Sequence, residues 1–174
     1  MNHALKAGCI LLPLIASPAL AGNWEVSYRE DEMRGTAAKV LALPSSNTRE
    51  FNFPYAGGTQ MGLILRSDDT VLKKGQKAAD LKPTEAIVFV TKGQFTCQSY
   101  NNCYVSVKFD DKPVEKYKVS KPQDHSSDTF FINNSKKFIK QVETSKKAIV
   151  EAVFYNEGSV QFKFDLADID KAKE

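Results

Sequence analysis

The sequence predicts an all-β fold, either a β-sandwich or a partly open barrel of about ten short antiparallel strands with one short helix. Apolar and polar residues alternate in many short runs, as they do in half-buried strands. Turn residues separate these runs about every 8 to 12 residues. Helical spacing of apolar residues stands out in one segment, near the carboxyl end.

The first 21 residues are predicted to be a secretory signal peptide and not part of the fold. Lys6 supplies a positive charge, residues 7–16 form a short apolar core, and Ala19 and Ala21 are the small residues that a signal peptidase accepts. Cleavage after Ala21 leaves 174 − 21 = 153 residues, the length of one β-rich domain over residues 22–174. The alternative is a membrane anchor or a buried first helix, but the apolar run is too short for a span.

Alternation predicts four strands in the first part of the domain. They lie at residues 24–28, 36–43, 49–53 and 60–66. In the third run Phe51 and Phe53 are expected on one face, which Tyr55 continues until Gly57 and Gly58 end the run.

The stretch 67–83 is polar and predicts a long loop with a helical turn near Ala78 and Ala79. Its lysine run at 73–77 is interpreted as a solvated face, with a binding patch as the alternative. Six more strands are predicted beyond it, at residues 86–91, 104–109, 114–119, 129–132, 148–155 and 160–164. The first of these is continuously apolar, which favours a central strand.

The helix is predicted over residues 136–144. Asn134 or Ser135 can cap it, and Phe138, Ile139 and Val142 share one side. We expect it to pack across one open end of the sheets, and we expect the tail after the last strand to be a weak helix or a frayed end.

Cys97 and Cys103 are predicted to form a disulfide, because an exported pair of cysteines usually does. Five residues separate them, whereas a redox dithiol needs two. The polar residues 98–102 are predicted to form a turn, with a strand on each flank. A zinc site would need more Cys or His than this pair offers.

Composition and charge exclude several functions. A formal net charge of +3, or 23 − 21 = +2 once Lys6 is removed, is too small to predict nucleic-acid binding. There is no P-loop and no Gly-x-Gly-x-x-Gly sequence, so no nucleotide cofactor is expected. We likewise expect no bound metal and no membrane span in the mature chain.

One segment contains residue types used in catalysis, Asp124-His125-Ser126-Ser127-Asp128. A hydrolase or a metal-dependent enzyme using this loop is the alternative function. A catalytic triad needs its members to meet in space with the base between nucleophile and acid, which neighbours on one loop rarely achieve. The segment is therefore interpreted as a polar surface turn.

Aromatic residues beside turns are the better candidates for binding. We single out Phe53, Tyr55, Gly57 and Gly58, and Tyr100 between the two cysteines. The alternative is that Phe51 and Phe53 belong to the core and that Tyr55 seals its rim.

One set of residues, spread over nearly the whole predicted domain, is Trp24, Ser27, Asp31, Met33, Arg34, Gly35, Phe51, Phe53, Pro54, Tyr55, Gly57, Gly58, Leu65, Arg66, Phe95, Cys97, the run 107–111, the run 126–128, Glu151, Ala152, Phe154, Tyr155, Gly158, Phe164 and Asp165. In these residues the sequence resembles a family of uncharacterised exported proteins of Gram-negative bacteria and their prophages. The layout, from an opening Trp strand to a closing Phe-rich hairpin, is also similar to accessory periplasmic proteins of type VI secretion. The resemblance implies a periplasmic β domain and supplies no catalytic residue.

The expected function is therefore that of a periplasmic, non-enzymatic binding or interaction protein. Its partner would be another envelope or secreted protein, as for an inhibitor or a phage-type envelope-exclusion factor. The sequence does not fix the oligomeric state, although an exposed edge strand would allow a dimer.

Overall fold

The computed structural model describes residues 24–97 and 102–173, so the predicted signal peptide lies outside the described residues. Over these ranges the chain is mostly antiparallel strand, which confirms the all-β prediction. The strands are β1 (Glu25–Asp31), β2 (Thr36–Pro44), β3 (Arg49–Phe51), β4 (Gly57–Thr59), β5 (Met61–Arg66), β6 (Thr70–Val71), β7 (Glu85–Val90), β8 (Tyr104–Phe109), β9 (Glu115–Ser120), β10 (Thr129–Ile132), β11 (Lys147–Phe154) and β12 (Gly158–Asp165). The helices are α1 (Ser135–Thr144), α2 (Ile169–Lys173) and a 3₁₀ turn (Ala78–Asp80).

Ten of the described strands form one hydrogen-bonded sheet in the order β1-β2-β5-β7-β10-β9-β8-β11-β12, with β6 beside β2, and β3 and β4 form a separate two-stranded sheet. The first layer contains β1, β2, β5, β7 and β10, and the second contains β9, β8, β11 and β12. The path turns from one layer to the other between β10 and β9, which pair only through Phe131 with Ser120 and Ile132 with Val119. β1 and β12 end the path, so the sheet is not closed into a barrel. Of the two predicted forms, the sandwich is the one observed.

The two layers bury their strands differently. In the second layer β8, β11 and β12 alternate strictly between buried and more exposed residues. In the first layer β2, β5 and β7 are buried almost continuously, because their outer face is also apolar. One cross-strand row on that outer face runs through Ala42, Ile64, Ile87 and Phe131. The continuously apolar run at 86–91 is thus a central strand, as predicted.

The core lies between the layers. The predicted face of β5, formed by Met61, Leu63 and Leu65, is fully buried. Five aromatic rings fill one part of the core, those of Phe51, Phe95, Phe130, Phe154 and Phe162. A smaller cluster of Ala37, Ala78 and Leu81 packs the 3₁₀ turn, which falls where the loop was expected to contain a helical turn.

Helix α1 closes one end of the sandwich, which we call the helix end. The helix begins one residue before the predicted start, and the Asn134 side chain accepts from the Lys137 backbone N–H at 3.3 Å. Phe138 is fully buried, with its ring centroid 5.6 Å from that of Phe109 and 5.2 Å from that of Tyr117. Burial and a hydrogen bond to Glu115 raise the pKa of Tyr117.

Among the described helices, none combines the length and the apolar character needed to cross a membrane.

Candidate binding surface

The end of the sandwich opposite α1 is built from loops, and we call it the loop end. Its central segment is residues 92–97. The Thr59 hydroxyl donates to the Lys92 carbonyl at 3.0 Å, which joins this segment to β4. The Phe95 N–H donates to the Ser127 carbonyl at 2.6 Å, which joins it to the loop before β10. The fold therefore brings the segment around Phe53 and the segment 124–128 to the same end of the molecule.

The hairpin of β3 and β4 is rooted in the core by Phe51. Its ring centroid lies 5.2 Å from that of Phe154, and the side chain is buried. Gly93 lies against the same ring: a Cβ there would be 2.7 Å from Phe51 Cε2, and its φ is +114°. Only glycine fits at this position, so the backbone of the central segment packs directly on the hairpin.

The hairpin loop, residues 52–56, leaves Phe53 in solvent. Its side chain is 85% exposed, although alternation predicted it on the same face as Phe51. That prediction was wrong because β3 ends at Phe51 and the chain turns at once, with the Tyr55 N–H donating to the Asn52 carbonyl at 2.9 Å. Tyr55 is half-buried against the core, as a residue sealing the rim would be.

A carboxylate from another turn holds the base of this loop. Glu157 lies in the turn between β11 and β12. It accepts from the Asn52 backbone N–H at 2.5 Å and from the Asn52 side-chain amide at 3.1 Å. Because both carboxylate oxygens are used, the residue that precedes Phe53 is fixed in position and orientation.

The two glycines after the loop have conformational and packing roles. Gly57 has φ +92°, and a Cβ on it would be 3.1 Å from the Lys92 ammonium nitrogen. A Cβ on Gly58 would be 2.7 Å from Thr48 Cγ2. Both residues pair within β4, opposite Phe51 and Glu50. Because Gly57 directly follows the hairpin loop, the exposed Lys92 side chain beside it also lies next to that loop.

Tyr155 is an aromatic side chain at the loop end that was not singled out from the sequence. It is 49% exposed and follows the buried Phe154 at the end of β11. Its backbone N–H donates to the Gln94 carbonyl at 2.9 Å, which places it beside the central segment. Strict alternation through β11 was the available signal, because the residue after a buried phenylalanine faces outward.

Cys97 and Cys103 form the predicted disulfide, with their Cα atoms 4.6 Å apart. Tyr100, the remaining candidate for binding, lies outside the described residues. The flanks of the disulfide differ from the prediction of two strands. β8 begins directly after Cys103, but the side before Cys97 forms one isolated bridge, between Phe95 and Phe154.

The loop containing His125 is a sequence of local turns. The His125 N–H donates to the Pro122 carbonyl at 3.1 Å, and its φ is +60°. The backbone N–H of Ser126 donates to Asp124 at 2.9 Å and holds the pKa of Asp124 below its usual value. Within the described ranges, no hydrogen bond links the imidazole to Asp124, Ser126 or Asp128, and no three His, Cys, Asp or Glu side chains are grouped to hold a metal.

No protein-family model, curated protein or solved structure matches this chain significantly. The resemblance to exported proteins of Gram-negative bacteria and prophages therefore stays a prediction.

Proposed function

We propose that this protein is an exported, periplasmic binding module without enzymatic activity, which holds another envelope or secreted protein at its loop end. The observation that supports this proposal best is Phe53, a large apolar side chain that is 85% exposed on an anchored loop. A hydrolase or metal-dependent enzyme using the His125 loop is the alternative, and replacing His125 by Ala without loss of phenotype would remove it.

The geometry around Phe53 favours binding because the loop is already ordered. Asn52 is held by Glu157, and Phe51 is held in the core, so the residues on the amino-terminal side of Phe53 are fixed. A preorganised aromatic side chain loses little conformational freedom on binding and can dominate the energy of an interface. Tyr155 supplies a second half-exposed ring, and Lys92 a positive charge, at the same end.

Three kinds of observation support the proposed periplasmic location. The first residues have the pattern of a signal peptide. The disulfide between Cys97 and Cys103 suits an oxidising compartment such as the periplasm. The resemblance to exported proteins of Gram-negative bacteria and prophages points to the same place, and it favours a partner in the envelope or a secreted protein.

The test is capture of partners from a periplasmic extract with three forms of the protein: wild type, Phe53→Ser and Val114→Ser. Val114 is the matched control, because it is 61% exposed, apolar and located at the helix end next to β9. We expect Phe53→Ser to lose a protein that wild type and Val114→Ser both retain. Equal recovery by all three forms would show that the loop end is not the binding surface.

Glu157→Gln tests whether preorganisation matters. The variant keeps the shape of the side chain but removes its charge, so the two hydrogen bonds from Asn52 weaken. Isothermal titration with the captured partner should show weaker binding than wild type, and stronger binding than Phe53→Ser. Affinity equal to that of wild type would mean that the clamp has no part in binding.

A further inference from the structure

The two terminal strands of the sheet path present different outer edges. On β12, the Ser46 N–H donates to the Lys163 carbonyl at 2.7 Å, and the Lys163 N–H donates to Asn47 Oδ1 at 2.6 Å. The Asn47 amide also donates to the Gln161 carbonyl at 3.2 Å. The loop after β2 therefore lies along this edge and satisfies three of its backbone groups.

The outer edge of β1 receives no backbone hydrogen bond from the described residues, although α2 and the 3₁₀ turn lie near the strand. The strand pairs with β2 along all seven of its residues, and no described residue makes a backbone hydrogen bond to its other side. The strand contains no Pro, which would prevent backbone pairing at an edge, and its four charged residues allow pairing only where opposite charges meet. Val26 and Tyr28 are 37% and 49% exposed, although they face the core side of the sheet opposite Leu41 and Lys39.

The sequence of β1 is complementary to itself in one antiparallel register. In a two-fold antiparallel pair of β1 strands, directly opposite side chains lie on the same face of the sheet. One residue then lies opposite its own copy in the partner, and the identity of this self-opposed residue fixes the register. With Ser27 opposite Ser27, Glu25 faces Arg29 twice and Val26 faces Tyr28 twice. Opposite charges and apolar pairs at directly opposed positions stabilise a sheet.

The neighbouring registers are less favourable. With Tyr28 opposite itself, Glu25 faces Asp31 twice, which places like charges against each other. With Arg29 opposite itself, two guanidinium groups are opposed. Only the register centred on Ser27, which pairs residues 25–29 of the two strands, joins opposite charges without opposing like ones.

We propose that two copies of this protein associate through their β1 strands, antiparallel and centred on Ser27, to form one sheet that continues across the dimer. The two-fold axis passes beside Ser27, and each copy contributes the same surface. The backbone groups on the free edge of β1 are then satisfied as those of β12 are within one copy. This association does not depend on the loop end.

A cysteine scan tests the register directly. At the self-opposed position of an antiparallel pair the Cα atoms are about 4.5 to 5.5 Å apart, within reach of a disulfide. Ser27→Cys should therefore form a covalent dimer under mild oxidation. Tyr28→Cys is the matched control, because the two copies of residue 28 lie diagonally, about 7 to 8 Å apart. Both variants are made with Cys9→Ser, so that no further free thiol is present.

Charge reversal supplies a second test that does not need oxidation. Sedimentation equilibrium over a concentration series should show wild type shifting from monomer to dimer. Glu25→Arg places two like-charged pairs at the interface and should raise the dissociation constant about tenfold. Adding Arg29→Glu restores opposite charges and should restore dimerisation, with thermal melting as a check on folding because Arg29 also pairs with Asp69 within the chain.

Several results would overturn the proposal. A monomeric mass for wild type throughout the concentration series is one. Equal crosslinking of Ser27→Cys and Tyr28→Cys is another, and a double charge variant that remains as weak as Glu25→Arg is a third. Equal recovery of partners by wild type and Phe53→Ser would instead refute the proposed binding function and leave the dimer unaffected.

Discussion

The two ends of the sandwich are closed by aromatic residues in different ways. At the helix end, α1 covers the core, and the rings of Phe109, Tyr117 and Phe138 pack edge to face beneath it. At the loop end Phe51 and Phe154 fill the same role, but the loops around them leave Phe53 and Tyr155 in solvent. The buried rings at both ends stabilise the fold by packing in the core, whereas the exposed rings of Phe53 and Tyr155 make no comparable packing contribution.

The difference indicates how one small fold separates stability from recognition. A helix with one apolar side closes an end with few exposed apolar atoms, because its polar side faces water. Loops anchored at their bases can instead present a side chain away from the core. If this separation holds, the helix end serves stability and the loop end is rigid because of its anchors.

The largest effect is expected at the helix end. Phe138→Ala removes a fully buried ring and leaves a cavity among Phe109 and Tyr117, so the free energy of unfolding should fall by about 3 to 5 kcal/mol. Phe53→Ala should change it by less than about 0.5 kcal/mol, because that ring is exposed. Urea denaturation of both variants measures the difference. Similar losses would contradict the division between the two ends.

The root of the loop end is expected to be almost as sensitive. Gly93→Ala would press a methyl group into the ring of Phe51. Gly75→Ala is the control, since Gly75 also has a positive φ, of +83°, but has open space around it. Because both variants share the backbone strain, Gly93→Ala should be less stable than Gly75→Ala by about 1 to 3 kcal/mol, the usual effect of overpacking. Equal denaturation midpoints would show that the central segment can move away from the hairpin.

The disulfide should have an intermediate effect. Replacing Cys97 and Cys103 together by Ser opens a short ring, which should lower the free energy of unfolding by about 2 kcal/mol through the greater freedom of the unfolded chain. Phe138 stays packed in this variant, so the protection of α1 amides from hydrogen exchange should fall only by the amount that the global free energy of unfolding falls. Unchanged stability would mean that the segment before Cys97 is held by its hydrogen bonds alone.

The smallest effect concerns the ion pair between Glu115 and Lys137 at the helix end. The hydrogen bond from Lys137 lowers the pKa of Glu115 below its ordinary value of 4.5. A carboxyl group whose pKa is lower in the folded state adds stability above its unfolded pKa, and that stability is lost as the pH falls through the folded value. The pair is half-exposed, so we expect an effect below about 1 kcal/mol.

Thermal melting at a series of pH values between about 6 and 3 measures this contribution. Glu115→Gln should melt lower than wild type at the upper end of the series and should approach wild type at the lower end. A constant difference across the series would assign the stabilisation to packing and not to charge.

Much of the fold was predictable because alternation and turn residues act locally. The strand at Thr129–Ile132 and the helix at Ser135–Thr144 lie where the pattern placed them, within one residue. The candidate site was predictable only in part. Phe53 was found as an aromatic beside a turn, but its expected place on the face of Phe51 was wrong, because the strand ends two residues before its predicted end and the chain then turns Phe53 into solvent.

By itself, the sequence determined the β class, the helix α1 with its buried face, and the pairing of Cys97 with Cys103, because hydrophobic spacing and the presence of just two cysteines in residues 22–174 suffice for them. Only the tertiary structure decided that Glu157 clamps Asn52, that Gly93 packs on Phe51, and that β12 is covered at its edge while β1 is open among the described residues. The reason is distance along the chain. Asn52 and Glu157 are 105 positions apart, and no local pattern records a contact that only the folded sandwich creates.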